Sequence, residues 1–234
     1  MKENNKHINI ILTYNKPHRK TYDLLCNLKA VGVNDVVVVA LPWVEMKQFV
    51  PLYPHRPPAI VLVTPAEVSK NLGYHYIELA GMEEFGQYLK EFESKNRILV
   101  AGAGVIPQNI VTDHICINAH PGLLPHMRGL DALKWAIYEN EEIGVTLYRC
   151  GGKVDTGELI EKRVLKLHLY DTFFSIAQRL YELEITMLAS GAVIDIGKGD
   201  LLLGTGRVNK RMPHRKEILL EDLLRQRILI DKDY

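Results

Sequence analysis

Short continuous apolar runs alternate along this chain with stretches whose apolar residues recur every three or four positions, the pattern of buried strands and of the helices that cover them. His7 to Tyr14 reads as a first strand, Arg19 to Val31 as a helix ending at Gly32, and Asp35 to Leu41 as an uninterrupted apolar strand. Ala59 to Thr64 is a further candidate strand, Glu83 to Glu93 a helix, and Ile98 to Ala101 and Ile115 to Asn118 two more strands. Strand and helix in turn predict an α/β fold, a doubly wound, mostly parallel sheet flanked by helices. Leu130, Leu133 and Ile137 recur at helical spacing, and Gly144 to Tyr148 with a partner at Leu159 to Leu167 predicts an antiparallel addition. Asp171 to Ser190 is the clearest helix: Phe173, Ile176, Ala177, Leu180 and Met187 share one face, Asp171 is placed as N-cap and Gly191 as the stop. From Gly199 onward the pattern reads as a short hairpin and a terminal helix near Glu217 to Arg227, so residues 1–198 form the body and 199–234 a short extension packed on it.

Chemistry is concentrated in one string. Asn118-Ala119-His120-Pro121-Gly122-Leu123-Leu124-Pro125 follows a strand, so Asn118 and His120, two residues apart, point the same way. Pro121 and Pro125 stiffen the loop beyond, and Pro121 restricts His120 itself. The strand Gly144 to Tyr148 leads into Gly151-Gly152-Lys153-Val154-Asp155-Thr156-Gly157, a glycine-bearing loop able to bring a carboxylate to the same place. An amide, an imidazole and a carboxylate suit acyl transfer. In open α/β sheets ligands gather beyond the carboxyl ends of the strands, and Pro42-Trp43, Gly102 to Pro107 and Asn118 to Gly129 are such ends, with the proline-marked loop Tyr53 to Pro58 assigned to the substrate side.

The string from Asn118 to Pro125, with Arg128-Gly129, Gly144-Val145-Thr146 and Asp155-Thr156-Gly157 after it in that order, resembles the formyltransferases that use 10-formyltetrahydrofolate, including the glycinamide ribonucleotide, methionyl-tRNA and nucleotide-sugar enzymes. The likeness is strong over roughly residues 98 to 160. It implies a Rossmann-like formyltransferase fold and puts the family's catalytic asparagine at Asn118, histidine at His120 and aspartate at Asp155. It further implies that the folate lies between the loops Gly102 to Pro107 and Gly151 to Gly157, against Leu99, Gly102, Ala103, Gly104, Val105, Ile106, Gly152 and Val154. A dinucleotide reading of Gly102-Ala103-Gly104 fails, since the third glycine of the fingerprint is absent.

Within that family the acceptor is narrowed by what the chain carries. Thr13-Tyr14-Asn15-Lys16-Pro17-His18 is unlike the glycine- and serine-rich phosphate loop of the glycinamide ribonucleotide enzymes, and the residues after Gly199 fall short of the extra C-terminal domain of the methionyl-tRNA enzymes. The expected acceptor is the amine of a nucleotide-linked amino deoxysugar, as in surface-polysaccharide (O-antigen) biosynthesis. Tyr14 and Trp43 are set against its base or sugar, and Arg128 joins the acceptor side. For the diphosphate, Lys16, His18 and Arg19 are one group of donors and Lys210 and Arg211 another. Positive charge at the start of the first helix opposes the macrodipole, a conflict that a bound anion or simple solvation would relieve. Another amine acceptor, a hydrolase releasing formate from the same folate, and a non-catalytic binding module stay open.

Composition adds exclusions. With 29 basic and 28 acidic residues among 234, the chain has no broad field for nucleic acid. Its three cysteines, Cys26, Cys116 and Cys150, lie far apart and imply neither a zinc site nor a disulfide framework. No metal is expected. The polar start and the absence of a long apolar run point to a cytoplasmic protein without a signal peptide or membrane contact. A homodimer remains open.

Overall fold

A computed structural model describes residues 8–44, 50–54, 63–92, 96–197, 199–202 and 207–230 of the chain. Its main sheet has eight strands in the order β3-β2-β1-β4-β5-β7-β8-β9. The first five, β3 (His75–Glu78), β2 (Val36–Leu41), β1 (Asn9–Tyr14), β4 (Arg97–Val100) and β5 (Ile115–His120), are parallel neighbours, and β7 (Gly144–Cys150), β8 (Gly157–Val164) and β9 (Leu201–Leu202) continue antiparallel. The doubly wound core with an antiparallel addition is the expected one. Chain order reverses between β1 and β4, which opens a crevice at their carboxyl ends.

Two apolar layers hold the sheet. Ile11, Val38, Leu99 and Ile117 point to the side covered by α1 (Arg19–Ala30) and α6 (Phe173–Ser190), while Ile10, Val39, Ile98 and Cys116 point to the other with Phe85 of α3 (Met82–Leu89) and Ile110 of α4 (Gln108–Asp113). Alternation along each strand thus assigns successive residues to opposite layers. All five residues expected on the buried face of the longest helix are buried.

Several boundaries differ from the sequence reading. Thr64 begins no strand; it caps α2 (Pro65–Leu72), accepting from Glu67 N at 3.2 Å while Glu67 Oε2 accepts from Thr64 N at 2.8 Å. The rest of the strand placed at 59–64 lies largely outside the described residues, as do His7 and most of the Tyr53 to Pro58 loop. The N-cap of α6 is Thr172, not Asp171, whose carboxylate instead accepts from His168 N and Ser175 Oγ, and Gly191 ends it with φ −56° rather than in the left-handed region. The strands after Gly199 do not pair with each other. β9 joins β8, and β10 (Val208–Asn209) runs parallel to β6 (Arg128–Gly129). Met212 and the helix α8 (Leu220–Ile230), through Leu220, Leu224 and Ile228, pack into the main core, and Lys134 of α5 (Ala132–Tyr138) is fully buried against Glu217 of α7 (His214–Glu217).

Candidate active site

β5 outruns its parallel partner. Ile115 to Ile117 pair with β4, and Ile117 to His120 pair antiparallel with β7, placing Asn118 opposite Tyr148 and His120 opposite Thr146. Thr146 is fully buried, and its hydroxyl donates to Gly122 O at 2.8 Å and accepts from Leu124 N at 3.0 Å. One side chain on β7 therefore pins the loop that leaves His120. Gly122 must be small, because a Cβ there would lie 2.9 Å from His120 Nε2 and 2.7 Å from Met127 O.

Asp155 arrives from the β7–β8 loop. Gly157 closes that loop at φ 145°, with no room for a Cβ against Arg149 O, and Asp155 itself sits in the left-handed region at φ 47°. Arg128 holds the loop from below, its Nη2 and Nε donating to Val154 O at 2.6 and 3.2 Å, while Gly129 N donates to Asp155 Oδ2 at 2.7 Å. The Arg-Gly pair and the Asp-Thr-Gly segment, far apart in sequence, are thus one device.

The three side chains meet. His120 Nε2 lies 2.6 Å from Met127 O, and since a carbonyl only accepts, that nitrogen carries the proton and Nδ1 is left 3.6 Å from Asp155 Oδ1. Asn118 Nδ2 donates to the Tyr148 hydroxyl at 3.2 Å, and that hydroxyl donates to Asp155 Oδ1 at 3.1 Å. Burial raises the Tyr148 phenol well above its ordinary range, so it stays protonated, and likewise pushes up the Cys150 thiol beside it. Tyr148 escaped the sequence reading, since only its pairing opposite Asn118 marks it out.

Asn118, His120 and Asp155 open on a cleft of about 930 Å³ at the carboxyl ends of β1, β4 and β5. Of the residues assigned to the folate, Gly102, Ala103, Gly104, Val105, Ile106, Gly152 and Val154 line it. Leu99 does not. It is fully buried, because alternation sends it to the α1 and α6 side while its neighbour Val100 reaches the cleft.

Of the residues assigned to the acceptor, Tyr14, His18 and Trp43 line the cleft, with Tyr14 edge-on to Trp43 at 4.8 Å between ring centroids. Lys16 points to solvent, Arg128 is spent on Val154 O, and Arg19 pairs with Asp23 at 3.1 Å beneath the Tyr181 ring; none of these is on the wall. Lys20, from the same basic turn, does reach the wall, paired with Glu184 Oε1 at 2.7 Å. Carboxylates of the protein, Asp23 and Glu184, thus balance part of the charge that opposes the macrodipole of α1. Lys210 and Arg211, just after β10, line the same wall. No cluster of three metal-ligating side chains occurs among the described residues, and no described helix is long and apolar enough to cross a membrane.

This chain is 36% identical to the methionyl-tRNA formyltransferase of Thermosynechococcus vestitus over 88 residues, covering 36% of this chain and 27% of that one, and the match spans only about a third of the length of such curated relatives. Its fold is shared with a sugar N-formyltransferase from a Shewanella species, at a TM-score of 0.59 and 18% identity over 93% of this chain and 87% of that one. It is shared too with the phosphoribosylglycinamide formyltransferase of Anaplasma phagocytophilum, at 0.55 and 19% over 80% and 85%. The domain that defines the formyl transferase family matches residues 59–191, more than half of the 234 and inclusive of Asn118, His120 and Asp155, so the chain belongs to that family.

Proposed function

We propose that this chain transfers a formyl group from 10-formyltetrahydrofolate to the amino group of a nucleotide-linked amino deoxysugar. The observation that carries the reading is the meeting of Asn118, His120 and Asp155 at one cleft, Asp155 standing 3.6 Å from His120 and joined to Asn118 through the Tyr148 hydroxyl. The cleft suits the donor in volume, which falls in the range of about 300–1,000 Å³ usual for ligand sites, and in its wall, where Val100, Ile106 and Val111 face a glycine-lined strip. Gly102 keeps that strip open, as a Cβ there would come 2.8 Å from Tyr14 Cδ2. Bound there, the folate supplies an electrophilic formyl carbon.

The residues then have distinct tasks. The second Nδ2–H of Asn118 and a protonated His120 Nδ1 stabilise negative charge collecting on the formyl oxygen. Asp155, anchored through Oδ2 by Gly129 N, balances the imidazolium and takes up, directly or through water, the proton that the attacking amine loses; collapse of the tetrahedral intermediate then breaks the bond between the formyl carbon and the folate nitrogen, which takes that proton and leaves as tetrahydrofolate. Leu99 is not part of the folate wall in this proposal, and Lys16, Arg19 and Arg128 are not part of the acceptor site.

For the acceptor, Lys210 and Arg211 are the diphosphate donors of choice, with Tyr14 and Trp43 against the base or sugar. The sugar reading is further supported by extent, since the Shewanella sugar N-formyltransferase aligns over 93% of this chain and the glycinamide ribonucleotide enzymes that share the fold over 78–84%. Segment identity favours a second reading, methionyl-tRNA. The purified protein with 10-formyltetrahydrofolate and glycinamide ribonucleotide, methionyl-tRNA or a panel of nucleotide-linked amino sugars decides between them. Fastest turnover of a sugar is expected; faster turnover of either other acceptor than of every sugar overturns the proposal.

A further inference from the structure

We propose that Tyr148 is a positioning residue for the catalytic set, fixing which end of the Asn118 amide faces it and holding Asp155 in place as an acceptor. The inference rests on the formyl-transfer reading only for its kinetic consequences.

A phenol has one proton and accepts through its oxygen. Tyr148 gives that proton to Asp155 Oδ1 at 3.1 Å, so toward Asn118, 3.2 Å away, it can only accept. A flipped amide would set its carbonyl oxygen against an oxygen with no proton left. The amide is thereby locked with nitrogen toward Tyr148, and the remaining N–H of Asn118 keeps one direction. The cross-strand placement of Asn118 opposite Tyr148, with Tyr148 only 3% exposed, makes the lock part of the sheet.

The same hydroxyl is the nearer of the two groups on Asp155 Oδ1, His120 Nδ1 standing at 3.6 Å. The titratable groups around Asp155 come from each neighbouring element: His120 from β5, Arg128 from β6, Tyr148 and Cys150 from β7, and Lys153 from its own loop. Burial keeps Tyr148 and Cys150 neutral. Two neutral donors thus sit on the carboxylate, the Gly129 N–H on Oδ2 at 2.7 Å and the Tyr148 hydroxyl on Oδ1 at 3.1 Å, and of these only the hydroxyl belongs to a side chain.

Two variants test this, Tyr148→Phe and 3-fluorotyrosine at position 148. The first deletes the hydroxyl. The second keeps the shape but makes the phenol a stronger donor. In ligand-free protein, the side-chain amide of Asn118, followed by ¹⁵N NMR, is expected to lose order in Tyr148→Phe and to stay ordered with fluorotyrosine. In turnover, Tyr148→Phe is expected to lower kcat by about 10- to 100-fold, as for a misplaced catalytic group, with KM for the folate unchanged within about threefold. Removing a donor makes the carboxylate easier to protonate, so the acid limb of kcat/KM should move to higher pH in Tyr148→Phe and to lower pH with fluorotyrosine. An ordered Asn118 amide in Tyr148→Phe, or acid limbs that stay put or move the same way, overturns the inference. If Tyr148→Phe does not fold, the fluorotyrosine protein decides alone through its acid limb. If the parent formylates no amine, the functional reading fails while the NMR result still judges Tyr148.

Discussion

His120 has one ring nitrogen committed to a backbone carbonyl and one facing a carboxylate, and this division fits the role proposed for it. With Nε2 donating to Met127 O, only Nδ1 remains to gain a proton and turn it toward a ligand. His120→Asn or Asp155→Asn should therefore lower kcat by about two to four decades while the protein still folds and binds folate, the range for positioned acid-base and oxyanion groups. Steady-state kinetics at saturating substrate checks this, and a near-parental rate for either variant would remove that residue from the mechanism. These residues were legible because Asn118 and His120 share a strand face and Asp155 follows a glycine-bearing turn. Tyr148 was not, because a tyrosine in an apolar strand reads as core until its cross-strand partner is known. Leu99 was misplaced because one position along a strand separates the helix-covered layer from the cleft.

Elements here are joined by buried polar side chains as much as by apolar faces. Lys134 of α5 is fully buried with its ammonium on Glu217 of α7 and 3.7 Å from Asp131, whose carboxylate also meets Arg211 at 3.4 Å and Met212 N at 2.8 Å. Removing Glu217 leaves the buried ammonium with Asp131 alone at 3.7 Å, so the cost is at or below the roughly 3–5 kcal/mol of a broken buried pair. Glu217→Gln should lower stability by that order in chemical denaturation, and a change under about 1 kcal/mol would mean that water already reaches Lys134. Thr146→Val has a different signature. It leaves Leu124 N and Gly122 O without their partner, a loss of about 1–3 kcal/mol, and frees the loop that leaves His120, so kcat should fall even at temperatures where the variant is fully folded. The longer helices and most strands of the main sheet were visible in sequence, whereas the short α2, β3 and α4 were not, nor was the pairing of β10 with β6: two-residue strands carry no periodicity, and their partner lies about 80 residues away.

At the scale of the whole molecule, a reversal in strand order, a β5 that overshoots its parallel neighbour and the segment Val208 to Arg211 together frame one cleft. A ligand that binds this framed state and not the unfolded chain stabilises it by mass action, about 2.7 kcal/mol at 100 times Kd. For a chain of this size that is a rise in Tm of about 5–10 °C with a folate analogue, and none with NAD. A clear shift with NAD and none with any folate would contradict the assignment of the Gly102 to Pro107 loop. The most direct test follows the formyl carbon itself, supplied as ¹³C in 10-formyltetrahydrofolate and observed by NMR during turnover with an amine acceptor. The expected result is loss of the donor signal matched one for one by a formamide signal on the acceptor, slowed by about two to four decades in His120→Asn. Formate as the product while acceptor is present, or an unchanged rate in His120→Asn, would contradict formyl transfer by this site.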